Sequence, residues 1–123
     1  MTQALSDDYF HKIMDAVPDP IVVYDTQGQV LYLNRQFIAV FGWSLDELEG
    51  HRLDFVPPHE QEKTKDYVIR AINGEVVLFE TQRYDKSGNI IDIQVSASIF
   101  YDQSGERGGM IVAFRNISEL KNA

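Results

Sequence analysis

The stretch "IIDIQVSASIFYDQSGERGGMIVAF" (Ile90–Phe114) decides the fold. From Ile91 the pattern alternates. Ile91, Ile93, Val95, Ala97 and Ile99 fall on one side, and Asp92, Gln94, Ser96 and Ser98 on the other, which is the two-residue period of a strand with one buried face. Asp102-Gln103-Ser104-Gly105 then breaks the run. After it, Met110, Ile111, Val112, Ala113 and Phe114 are apolar at successive positions, so this strand is expected to be covered on both faces. Two adjoining strands joined by a tight turn form an antiparallel hairpin.

The same turn occurs twice more. Asp25-Thr26-Gln27-Gly28 separates "IVVYD" from "QVLYLN", and Asp85-Lys86-Ser87-Gly88 separates "VVLFETQRY" from "NIIDIQVSASIFY". An Asp at the first position accepts hydrogen bonds from the turn backbone, and a Gly at the fourth takes the positive φ that other residues resist. Three such turns predict five antiparallel strands.

The remainder reads as helix. Leu5, Tyr9, Ile13, Met14 and Val17 form an apolar stripe, with Ser6 as N-cap and Asp7 and Asp8 in the first turn. Pro18 and Pro20 end that helix. Asn34 caps "RQFIAVFG", and Ser44 with Glu47 makes a capping box for a short helix ending at Gly50. Pro57-Pro58 opens a longer helix closed by Asn73-Gly74, with Thr64, Tyr67, Val68, Ala71 and Ile72 on its inward face. Ser118 can cap a last helix with its own hydroxyl. The class is α+β: a five-stranded antiparallel sheet, a helical insertion on one face and an N-terminal capping helix.

Composition limits function. The chain has 123 residues, enough for one domain, and a formal net charge of −8, which repels nucleic acid and anionic lipid. There is no cysteine, so disulfides, thiolate catalysis, cysteine zinc sites and cysteine adducts are excluded. No apolar run reaches the roughly 18 residues of a membrane span, and Asp7 and Asp8 stand where a signal peptide wants basic residues. A cytoplasmic location and no contact with membrane or nucleic acid are expected. There is no H-E-x-x-H, phosphate loop or G-x-S-x-G, and "HEQE" at His59 lacks the context of a phosphoacceptor box. Asp46, Glu47 and Glu49 read as a solvated face and cap, so no metal site is expected. No enzyme is expected, and a small isomerase of similar shape would need a buried carboxylate that the inward strand faces do not offer.

The ordered set of these pieces resembles the PAS domain family, the sensory-box kind. "PDPIVVYDTQGQVLYLNRQFIAVFGWSLDELEG", the proline-opened helix, "RYDKSGNIIDIQVSASIFYDQSGE" and "FRNISELK" carry the likeness, from about Ile13 to Lys121. Asn116-Ile117-Ser118-Glu119 matches the family's exit motif, with Asn in place of the usual Asp. The resemblance implies a sensory input domain of a bacterial signalling protein. Residues 1–18 would be a flanking helix, 19–117 the PAS domain and 118–123 the start of a signalling helix. That helix would lead to a linked effector, a histidine kinase or a diguanylate cyclase of a two-component or similar pathway. The alternative is a ligand-free module for dimerisation or protein interaction.

Ligands of this family sit between the sheet and the insertion helices. The implied wall is Phe37, Phe41, Phe55, Thr64, Tyr67, Val68, Ile72, Phe79, Ile93, Val95 and Ile111, although such residues are core more often than ligand wall. Tyr9, Ile13, Met14, Val17, Met110, Val112 and Phe114 are assigned to the opposite, capping surface, which a second copy would cover in a homodimer. The cofactor is left open. Leu53 stands where flavin-adduct members carry cysteine, so that photochemistry is excluded. Haem is disfavoured, with His59 its single candidate. Glu80 and Arg83 read as a surface cross-strand pair; the competing reading has a buried Arg83 orienting a carboxylate.

Overall fold

A computed structural model describes residues 6–121. Ser6 accepts from the Tyr9 amide and caps α1 (Asp7–Ala16). Strands β1 (Ile21–Tyr24) and β2 (Val30–Leu33) follow, then α2 (Arg35–Phe41) and α3 (Leu45–Leu48). A single 3₁₀ turn (Pro58–Glu60) leads into α4 (Gln61–Ile72). Strands β3 (Val77–Tyr84), β4 (Ile90–Tyr101) and β5 (Arg107–Asn116) and the short α5 (Ser118–Lys121) complete the order. The sheet runs β2-β1-β5-β4-β3, every pair antiparallel.

The three D-x-x-G turns are one device built three times. In each, the Asp carboxylate accepts from the amides two and four residues on: Gln27 and Gln29, Ser87 and Asn89, Ser104 and Glu106. The glycines sit at φ 79, 88 and 85°. Gly109 serves a different purpose. A Cβ there would collide with the Tyr24 carbonyl oxygen, so β5 approaches β1 this closely because it is glycine.

Two apolar layers lie on the two faces of the sheet. On the inner face Val22, Leu33, Phe37, Phe41, Val95, Val112 and Phe114 pack beneath the insertion helices. On the outer face Phe10, Met14 and Val17 of the N-terminal segment meet Ile21, Val23, Tyr32, Ile111 and Ala113. Both faces of β5 are therefore covered within one chain. The stripe on α1 differs from the one expected. Phe10 packs inward, whereas Tyr9 (54% exposed) and Ile13 (43%) face solvent. The helix is rotated because its last turn is tied to the sheet through Asn34 and Asp15. Leu5 lies outside the described residues, as do 1–4 and 122–123 of the flanking segments.

Strand register also reverses an assignment on β5. Val95 pairs with Phe114, Ala97 with Val112, Ser98 with Ile111 and Ile99 with Met110. Cross-strand partners share a face, so Met110, Val112 and Phe114 point inward with Val95 and Ala97. Ile111 points outward toward α1. The run of five apolar residues carries no alternation of its own, and only its partner strand sets its parity.

Asn34 is fully buried and uses its whole carboxamide. Oδ1 accepts from the Ile21 amide at 2.8 Å and the Phe37 amide at 3.1 Å. Nδ2 donates to the Met14 and Asp19 carbonyls, each at 3.0 Å. One side chain thus closes α1, the proline link, β1 and α2 together. Asp15 adds a second tie by accepting from the Arg35 amide at 2.8 Å.

Two predictions follow from these contacts. Asp is as good an N-cap as Asn, but Asn34→Asp would set a carboxylate against two carbonyl oxygens. Asn34→Asp is expected to lower stability in urea unfolding by about 3 kcal/mol, as Asn34→Leu should; a near-neutral Asp variant would reduce Asn34 to a cap alone. The second prediction concerns acid. The backbone amide of Asn89 foremost holds the Asp85 carboxyl below its ordinary range, and the Ser104 hydroxyl foremost does the same for Asp102. A depressed carboxyl stabilises the fold above the unfolded value of about 4 and loses that contribution as pH falls through the folded value. The Asp85→Asn, Asp102→Asn double variant should be less stable at pH 7 and equal to the parent near pH 2, read from melting temperature against pH.

Candidate functional site

The inner layer is solid at one end and hollow at the other. At the solid end Phe37, Phe41, Phe55 and Phe114 form an aromatic cluster with ring centroids 4.8–6.2 Å apart. Trp43 adds an edge contact to Phe55. At the hollow end a cavity of about 250 Å³ lies between α4 and the sheet.

The wall of the cavity comes from every layer. Thr64, Tyr67, Val68 and Ile72 face it from α4, with Leu53, Phe55 and Val56 from the preceding loop. Val77, Phe79 and Arg83 enter from β3, Val95, Ala97 and Ile99 from β4, and Gly109, Met110, Val112 and Phe114 from β5. Tyr24 at the end of β1 closes one side, and Asp25, Thr26, Gly28 and Arg107 lie along it. Tyr67 stacks on Phe79 with centroids 4.0 Å apart, and Arg70 lies over the outer face of Tyr67. The cover is incomplete, since Val68 and Ile72 are 38% and 37% exposed.

Of the residues expected on the wall, Phe55, Thr64, Tyr67, Val68, Ile72, Phe79 and Val95 meet at the cavity. Phe37, Phe41 and Ile93 are buried in the filled part of the core instead. Ile111 lies on the other face of the sheet, for the register reason given above. Met110, Val112 and Phe114, assigned to the capping surface, line the cavity. His59 sits outside it, exposed at the start of the 3₁₀ turn, with Nε2 2.6 Å from Gln82 Oε1.

Of the two readings of Arg83, the buried one matches the structure and the surface cross-strand pair does not. Glu80 and Arg83 differ by three positions on one strand, so they point to opposite faces. Glu80 is exposed and bridges Lys121 of α5 at 3.1 Å. Arg83 is 3% exposed and faces inward with Val77, Phe79 and Thr81. Strand parity counted back from Val77 would have found it. Its Nη1 donates to Thr81 Oγ1 and to the Gln82 carbonyl, both at 2.8 Å, and Nη2 donates to Thr64 Oγ1 at 3.1 Å. All three acceptors are neutral. Among the described residues no carboxylate is paired with it, and Glu60 is engaged with Lys63 at 3.1 Å. Burial pushes the guanidinium down to about 10, so it stays charged at neutral pH. The nearby Tyr24 hydroxyl is pushed well up, by burial. An apolar hollow with one buried cation and two hydroxyls can hold a small molecule with a polar head.

The exit from the sheet is also defined. Ile117 is buried, and its amide donates to the Asp92 carbonyl at 3.0 Å. The Ser118 amide donates to Asn116 Oδ1 at 2.9 Å, so Asn116 caps α5 in place of the Ser118 hydroxyl. Glu119 is exposed on α5.

A family model described as the PAS fold matches residues 14–122. The chain belongs to the PAS-fold family. Among curated proteins it resembles sporulation kinase C of Bacillus subtilis, 22% identical over 117 residues. That match takes in 92% of this chain but only 27% of the kinase's length. Among solved structures, the PAS domain of a Colwellia psychrerythraea protein superposes with a TM-score of 0.79 at 25% identity, covering 88% of this chain and 93% of that one. The PAS domain of an HTR-like protein from Haloarcula marismortui gives 0.72 at 22%, covering 89% and 90%. An RNA-binding light-oxygen-voltage receptor gives 0.76 at 15%, covering 98% of this chain and 38% of that one, a likeness of fold alone. Among the described residues no helix is long and apolar enough to cross a membrane.

A buried charge without a counter-charge destabilises the fold that holds it. Arg83→Met keeps the volume and removes the charge, so it should raise the melting temperature of the ligand-free chain, corresponding to about 1–3 kcal/mol. A fall of similar size in thermal unfolding would show that the three neutral hydrogen bonds outweigh the desolvation.

Proposed function

We propose that this chain is a sensory input domain that takes a small molecule into the cavity beside Arg83 and passes its presence through α5 to a linked effector. The observation that carries this reading is the cavity itself: a mostly apolar hollow with a few convergent polar groups, in a core otherwise filled by aromatic rings. The connections from cavity to exit support it. Arg83 holds the Gln82 carbonyl, and the Gln82 side chain donates to Asp92 Oδ1 at 3.0 Å. The carbonyl of Asp92 in turn holds the Ile117 amide at the root of α5. A second connection runs from α4. Lys63 donates to the Glu80 carbonyl at 3.0 Å, and the Glu80 carboxylate pairs with Lys121 of α5. A ligand that shifts Arg83 or α4 would act on both.

The likeness to a stretch of sporulation kinase C favours a kinase as the effector over a diguanylate cyclase. A second reading, a ligand-free dimerisation module, draws on Tyr9, Ile13 and the outward Leu78 (62% exposed).

Native mass spectrometry of the purified chain beside the same sample denatured tests the two. A mass excess that disappears on denaturation is expected. A dominant dimer with no excess, in chain expressed in several hosts, would favour the dimerisation module.

A further inference from the structure

We infer that the cavity selects a compact monocarboxylate with an apolar body, its head bound by Arg83, Thr64 and Tyr24 and its tail between α4 and the sheet. This rests on the ligand-sensing reading above and adds the class of ligand.

Charge comes first. Arg83 is a fixed cation in an apolar wall, and its present partners are the neutral oxygens of Thr81, Thr64 and the Gln82 carbonyl. A guanidinium has five N–H donors. The three bonds use both N–H groups of Nη1 and one of Nη2, so Nε and the second N–H of Nη2 remain as donors for ligand oxygens. The Thr64 hydroxyl and the Tyr24 hydroxyl, both on the cavity wall, can add donors. Thr64 already accepts from Arg83, so its own proton is free to point elsewhere.

Head-group size comes next. One buried cation balances one negative charge. A phosphate monoester carries about 1.5 to 2 charges at neutral pH, and among the described residues the cavity wall provides no helix N-terminus or buried lysine to meet the second. Arg107 is exposed, with Asp25 also on the wall. The rest of the molecule must be apolar and small. Val77, Val95, Ala97, Met110 and Val112 offer no hydrogen bonds to a tail, and about 250 Å³ exceeds the roughly 150 Å³ of a cavity that takes a benzene ring. Fatty acids of about six to eight carbons and phenylpropanoate fit this description.

The test pairs each acid with an isosteric neutral molecule. Hexanoate, octanoate and 3-phenylpropanoate are titrated calorimetrically into the 123-residue chain at neutral pH, beside their primary amides. At least one acid should bind at least about tenfold more tightly than its amide. Arg83→Gln should bind acid and amide alike, and Ala97→Phe, which fills the cavity, should bind neither. Equal binding of acid and amide by the parent would overturn the carboxylate assignment and leave ligand sensing standing. Acid binding that survives Ala97→Phe would overturn the site. If none of the six binds, the ligand class is wrong, and the native mass measurement decides the sensing reading separately. The acid–amide comparison needs no variant, so it holds even if Arg83→Gln fails to fold.

Discussion

The carboxamide of Asn34 fixes how the N-terminal helix, the first strand and the helical insertion meet. Each of its four hydrogen bonds reaches a different segment: the end of α1, the proline link, β1 and α2. A buried amide group has two donors and two acceptor sites, and here all are used without water. This sets the rotation of α1, which puts Phe10 and Met14 on the sheet and turns Tyr9 and Ile13 away. It also sets where α2 begins, and therefore where Phe37 and Phe41 enter the core. A side chain that only capped α2 would leave those choices to weaker packing forces.

From that anchor the inner core divides. The phenylalanine cluster packs ring against ring, and close packing of this kind tolerates little rearrangement. The other half is held apart by α4, which covers the sheet with Tyr67 stacked on Phe79 but leaves Val68 and Ile72 partly in solvent. Arg83 stands between the two halves, its guanidinium 5.7 Å from the Phe55 ring. The fold thus puts a deeply buried guanidinium beside a cavity of about 250 Å³. A well-packed apolar residue there would serve stability better, and this is the physical basis for reading the hollow as a site.

The way out of the sheet is short and polar. β5 ends at Asn116, whose side chain caps α5, while buried Ile117 hangs from the carbonyl of Asp92 on β4. Glu80 on the edge strand reaches the end of α5. The exit helix is therefore attached to β3 and β4, the two strands that carry Arg83, Val95 and Ala97. A displacement at the cavity and a displacement of α5 act on the same backbone.

The sequence by itself determined the α+β class, the five strands and their turns. Alternation on β4 and three D-x-x-G turns are local signals, and local hydrogen bonds and φ preferences enforce them whatever surrounds them. Caps at Ser6, Asn34 and Ser44, and Gly ends at Gly42 and Gly74, were legible for the same reason. The family likeness was legible in the order of those pieces. What only the tertiary structure decided was which side of each element faces which layer. The unbroken apolar run of β5 has no parity of its own, so Met110, Val112 and Phe114 exchanged places with Ile111 once β4 paired with it. Arg83 looked like a surface residue because charge argues for exposure; its parity with Val77, Phe79 and Thr81 was legible, and the fold added the neutral oxygens of Thr64 and Gln82 that hold it. Asn34 read as a cap because its Met14 and Asp19 partners lie 20 and 15 residues away. Contacts of that range depend on chain segments brought together by folding, and no window along the sequence contains both ends.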